Sequence, residues 1–71
     1  MQKKNEKEVL IYMINLLIEY LEELSDVTDT PEDQFAYGEK TAYVECLEML
    51  SAWEKAEENG LVFDVETKFP L

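Results

Sequence analysis

Residues 5 to 24 have the periodicity of one amphipathic helix whose apolar side is too broad for a single neighbour. At 100° per residue, Val9, Leu10, Met13, Leu17, Tyr20, Leu21 and Leu24 make one face. Ile11, Ile14 and Ile18 extend it to an arc of roughly 200°, against the ~100° that one packing contact uses. In a chain of 71 residues that surplus is a severe constraint. A domain of this size buries only about 60% of the surface its unfolded form exposes, and it commonly needs a disulfide, a metal or a second subunit. Cys46 is the single cysteine and histidine is absent, which removes an internal disulfide and the usual zinc ligand sets. Oligomerisation remains. The expectation is therefore a mainly all-α protein: an antiparallel helical hairpin with a short extended C-terminal tail, pairing into a dimeric four-helix bundle with Ile11, Ile14 and Ile18 at the interface. The alternative is that the tail covers those isoleucines within one chain.

Punctuation divides the rest of the chain, which reads as one small domain. A loop spans residues 25 to 30. Thr30 at the N-cap, Pro31 at the first helical position and the carboxylates of Glu32 and Asp33 then start a second helix. Asn59 and Gly60 stop it, so this helix is expected over about 31 to 59, with Gly38 as a candidate kink. Its core stripe gathers Phe35, Ala42, Cys46, Met49, Leu50, Trp53 and Ala56, with Tyr43 and Leu47 at one margin. Residues 60 to 71 differ in kind. Leu61, Phe63, Val65 and Phe69 alternate to one side, as they would on a strand or an extended arm.

Charge excludes several function classes. Seventeen acids against six lysines and no arginine give a net charge of -11, so direct contact with nucleic acid or an anionic membrane is not expected. A basic protein partner suits such a surface. The longest apolar run, Val9 to Ile18, is too short to span a bilayer, and the N-terminal lysines lead into no cleavage site. With an unpaired cysteine, the expected location is the cytoplasm. The short, acidic make-up without arginine or histidine is similar to that of many small bacterial or phage proteins.

Two acidic pairs share a spacing. Glu19 and Glu22, then Glu45 and Glu48, repeat a Glu-x-x-Glu pattern on the two helices, and residues three apart on a helix are neighbours that can share a divalent cation. The pattern resembles the metal motif of all-α nucleoside triphosphate pyrophosphatases. That resemblance implies magnesium at these four residues and pyrophosphate release from a nucleotide. On the helical wheel, however, each pair lies opposite the main apolar face of its helix, which reads as a solvated charged face. Glu39 lies at the angle of Phe35, Cys46 and Trp53, so it points toward the expected core side, at an end where it can reach water. Cys46 has no histidine to activate it and reads as a small buried hydrophobe. Tyr37 and Val44, seven residues apart on an otherwise polar face, mark a candidate patch for another protein.

No cofactor and no catalytic group follow from these residues, since neither a paired nucleophile nor a phosphate cradle is present. The expected role is protein–protein interaction, by self-association or by binding a basic protein. One form of the latter is a nucleic-acid mimic whose charge comes from Glu19, Glu22, Glu23, Glu45, Glu48, Glu54 and Glu58.

Overall fold

Helix α1 (Glu6–Glu23) begins where Asn5, in extended backbone, accepts the Glu8 N–H on its side-chain oxygen at 2.8 Å. Glu6 and Glu8 place two carboxylates in the first turn, where the helix dipole favours negative charge. The helix belongs to a computed structural model that describes residues 3–71. Residues 24 to 30 reverse the chain. Pro31 opens a 3-10 turn (Pro31–Asp33) that runs directly into α2 (Gln34–Leu50). Thr30 has the extended backbone of an N-cap, yet its hydroxyl makes no capping bond. Two long helices and the absence of strands among the described residues make the protein mainly helical. No helix among them is long and apolar enough to cross a membrane.

The second helix is shorter than its sequence signals suggest, ending at Leu50 rather than near Asn59. Gly38 lies inside it. At the C-terminal end the Ser51 hydroxyl donates back to the Glu48 carbonyl, and the amides of Ala52 and Trp53 reach only three residues back, to Met49 and Leu50. Serine bonding to its own backbone competes with the helical ladder in this way. The tighter turning has a packing consequence. Ala56 follows Leu47 by nine residues, so a straight α-helix would put it on the opposite side, yet both are buried in the same cluster. After a second 3-10 turn (Glu57–Asn59) the chain stops where expected. Gly60 takes φ +114°, the Leu61 N–H bonds the Ala56 carbonyl at 3.0 Å and the Gly60 N–H bonds Glu57 at 3.4 Å. This is a Schellman cap, closed by the buried pair Ala56 and Leu61.

The two glycines therefore predict opposite responses. Gly38 sits in a helix with open space where a Cβ would go, so Gly38→Ala is expected to stabilise by about 0.5–1 kcal/mol. Gly60 also has open space, but its left-handed backbone makes Gly60→Ala cost about 1–2 kcal/mol. Thermal melts of both variants check this, and a shared direction of shift would contradict the assignment.

The tail is not extended throughout. Asp64 caps a one-turn helix, α3 (Val65–Lys68): its side chain accepts the Glu66 N–H at 3.2 Å and the Thr67 hydroxyl at 3.0 Å. Leu61, Val65 and Phe69 are buried, a four-residue spacing that suits a helical turn, while Phe63 is half-buried against them. Phe63 and Phe69 meet edge to face at 6.0 Å, with the Lys68 ammonium 5.1 Å from the Phe63 ring centre. Strand-like alternation thus named the inward residues but not their element, because a lone strand has no neighbour to satisfy its backbone whereas a capped turn satisfies its own.

One core joins all three parts. Ile14, Leu17 and Leu21 of α1 pack with Val44 and Leu47 of α2 and with Ala56, Leu61, Val65 and Phe69. The spacing Ile14, Leu17, Leu21 is i, i+3, i+7, and Lys40, Val44, Leu47 is i, i+4, i+7: each helix buries one face.

Candidate functional site

The face of α2 that is buried is not the stripe its composition favours. Phe35 is 84% exposed and Met49 69% exposed, whereas Lys40, at 4%, is turned inward beside Val44 and Leu47. Lys40 donates its ammonium to the Val27 carbonyl at 3.1 Å, tying the interhelical loop to α2. Because both sides of α2 carry apolar residues, the helix can pack through either, and the observed choice leaves Phe35, Ala42 and Met49 outside while Cys46, Leu50 and Trp53 are half-buried against the core.

The residues singled out from the sequence for self-association or partner binding are placed by this choice. Ile14 is fully buried in the shared core, and Ile18 is half-buried against it. Ile11 is half-buried. Val44 is fully buried as well, and Tyr37 is half-buried. Ile14 and Val44 are therefore not surface groups, and no exposed patch of Tyr37 with Val44 exists. The surplus of the α1 arc is real, but the side left open is the other one. Val9, Met13 and Tyr20 are 40%, 41% and 36% exposed, with Leu16 half-buried between them.

Aromatic packing joins the two open rows. The rings of Tyr20 and Tyr43 lie 5.3 Å apart, and the Tyr43 hydroxyl donates to the Glu39 carboxylate at 3.1 Å. Glu39 stands four residues after Phe35 and three before Ala42, inside the row that ends at Met49. It is half-buried and occupied with this bond. The bond to a carboxylate, aided by partial desolvation and by the charge itself, pushes the Tyr43 phenol above its usual pKa of 10.0 and keeps it protonated. Cys46 is half-buried at the edge of the core rather than enclosed in it.

The acidic pairs do not converge. Glu19, Glu22, Glu45 and Glu48 are all exposed, and among the described residues no three or more carboxylates, cysteines or histidines lie close enough to hold a metal ion. A Glu-x-x-Glu on each helix becomes a ligand set only if both pairs face the same gap between helices. Here Leu17, Leu21, Val44 and Leu47 occupy that gap. The resemblance to the pyrophosphatase motif thus stops at spacing. Glu23, Glu54 and Glu58 are exposed too.

Sequence periodicity missed Val9, Met13, Tyr20, Phe35 and Met49 as surface groups because each falls on an apolar stripe, where burial is the ordinary expectation. A signal was present in Lys40, Val44 and Leu47, whose spacing marks a second possible inward face. The chain matches no protein-family model, no curated protein and no solved structure in comparisons with each.

Proposed function

We propose that the protein acts in the cytoplasm by binding other proteins, without catalysis, through the apolar rows left open on one side of the hairpin. One observation supports this most: Phe35 and Met49, two large apolar side chains, are mostly exposed on the same helix that buries a lysine. Apolar rows of this kind, rimmed by charge, are the usual mark of an interaction surface. Self-association into a dimeric four-helix bundle is one use of it.

A photo-reactive amino acid placed at Phe35 tests the reading in the native host. Crosslinked species of defined mass are expected from position 35 and not from Glu58. Their absence from both positions, or equal yields from both, would overturn it.

A second reading concerns the acids. Glu19, Glu22, Glu23, Glu45, Glu48, Glu54 and Glu58 are all exposed, which favours a basic protein partner and, in its strongest form, mimicry of nucleic acid. Complexes held by these charges weaken steeply with salt, whereas one held by the apolar rows does not.

A further inference from the structure

We infer that the open side of the hairpin docks a basic amphipathic helix of another protein, with a lysine or arginine of that helix on Glu39. The inference rests on the interaction reading above and names the chemistry of the partner. Both open rows have the spacing of a helix–helix seam. On α1, Val9, Met13, Leu16 and Tyr20 follow one another at four, three and four residues. On α2, Phe35, Glu39, Ala42, Cys46 and Met49 follow at four, three, four and three. The rings of Tyr20 and Tyr43, 5.3 Å apart, put the two rows on the same side of the hairpin. Two neighbouring helices that each offer such a row form a groove, and a third helix fills it by setting its apolar side chains between those of both.

Charge selects the kind of helix. Every charged group that α1 or α2 brings to this side is acidic. Glu6 and Glu23, both exposed, continue the α1 row by three residues at each end, and Glu39 stands inside the α2 row. The single lysine of α1, Lys7, lies about 150° around the helix from the middle of that row at 100° per residue. The single lysine of α2, Lys40, is buried and bonded to the Val27 carbonyl. The groove is therefore complementary to a helix with cations beside its apolar face.

Glu39 decides between partners. It is already half-buried among apolar neighbours in the row, and its bond comes from a neutral donor, the Tyr43 hydroxyl at 3.1 Å. Anything laid over the rows takes water from this carboxylate, and a buried charge without a counter-charge is costly. An uncharged apolar helix supplies none. A second copy, meeting the groove through the same face, supplies only further carboxylates. A lysine or arginine among the apolar side chains of the partner answers Glu39, while cations at its ends meet Glu6 and Glu23. The tail does not serve this side, since α3 packs on α2 and its apolar residues belong to the buried core.

The probe is a labelled synthetic peptide of about 16 residues, the length of the rows at 1.5 Å per residue, with leucine at seam positions and lysine beside them. By fluorescence anisotropy with the full chain it is expected to bind about 10-fold tighter, or more, than two controls: the peptide with glutamine for lysine, and a scrambled peptide of equal charge. Glu39→Gln keeps an acceptor for Tyr43. It is expected to weaken the lysine peptide by about 10-fold and not to weaken the glutamine peptide. Glu58→Gln removes the same charge outside both helices and is expected to change binding by less than about 2-fold. Phe35→Ser, at a site already open to water, should leave the helical circular dichroism intact and weaken binding by about 10-fold. No saturable binding below about 1 mM, equal binding of either control peptide, or equal effects of Glu39→Gln and Glu58→Gln would each overturn the inference. If the peptide fails in one of these ways while the Phe35 photo-probe yields a crosslinked neutral partner or a second copy, the basic helix is refuted and the interaction reading stands. If the photo-probe yields nothing, both fall.

Discussion

A chain ending at Gly60 is expected to lose the cooperative melting transition of the full protein. Leu61, Val65 and Phe69 are buried in the one core that also holds Ile14, Leu17, Leu21, Val44 and Leu47, so removing residues 61 to 71 uncovers both helices at once. Each such side chain contributes about 1.5–3 kcal/mol by burial, and a small domain has only about 5–15 kcal/mol in total. Three of them account for most of that. The Schellman cap at Gly60 goes as well, since its 6→1 bond is donated by Leu61. A gentler variant isolates the packing. Phe69→Ala leaves the chain intact but removes the ring that Phe63 meets edge to face, at an expected cost of about 3–5 kcal/mol. For a domain of this size each kcal/mol lowers the melting temperature by about 4–8 °C, so Phe69→Ala should melt at least ~12 °C lower. Melting curves followed by circular dichroism check both. A truncated chain that melts cooperatively at the full-length midpoint would show that the hairpin stands alone.

Charge reversal at Lys40 is expected to be nearly as damaging, although lysines are ordinarily surface residues. It is buried on the face of α2 that carries Val44 and Leu47, with the ammonium on the Val27 carbonyl of the interhelical loop. Lys40→Glu would set a carboxylate against that carbonyl in the same buried place, for about 3–5 kcal/mol of lost stability, the range for an uncompensated buried charge. Lys40→Met keeps the length of the stem and forfeits only the hydrogen bond, so its cost should stay within about 1.5 kcal/mol. The ranking is what urea unfolding would test. Equal effects of the two substitutions would mean that the ammonium is solvated and the stem alone matters.

Several elements were legible from local chemistry. Pro31 opens the helical turn that feeds α2 and Gly60 ends the helical path, each for the backbone reason its side chain or lack of one supplies, whereas periodicity alone places the start of α1 and the structure adds its Asn5 cap. The early end of α2 was harder to see. Ser51 is a weak breaker, and its effect depends on the reward of bringing Ala56 round to the side of Leu47, a gain that exists only in the packed molecule. Leu61, Val65 and Phe69 are legible as inward residues, but their alternation suits a strand or an extended arm, and nothing in it signals the Asp64 cap that turns this segment into α3.

The candidate site divides in the same way. Glu19, Glu22, Glu45 and Glu48 sit where the wheel places them, on outward faces. Phe35, Met49, Val44 and Lys40 do not. A helical wheel assigns angles around one axis and contains no information about which angle meets the neighbour. Where a helix has one apolar face the two questions have one answer, but α2 has apolar residues on opposite sides, and α1 has an arc wider than one contact.

By itself, then, the sequence determined that the chain forms two long helices, where they begin, where the helical path stops, and that α1 carries more apolar surface than one partner helix can cover. Only the tertiary structure decided which part of that surface is covered. Ile11, Ile14 and Ile18 are buried or half-buried with Val44 and Tyr37, while Val9, Met13 and Tyr20 remain open. The reason is that covering is a collective choice: Lys40 anchors the loop, the tight turns after Leu50 swing the chain, and the tail brings Leu61, Val65 and Phe69 to one side of the hairpin. Burial there satisfies all three segments together, and the free energy of that joint packing exceeds any preference a single helix expresses through its own pattern.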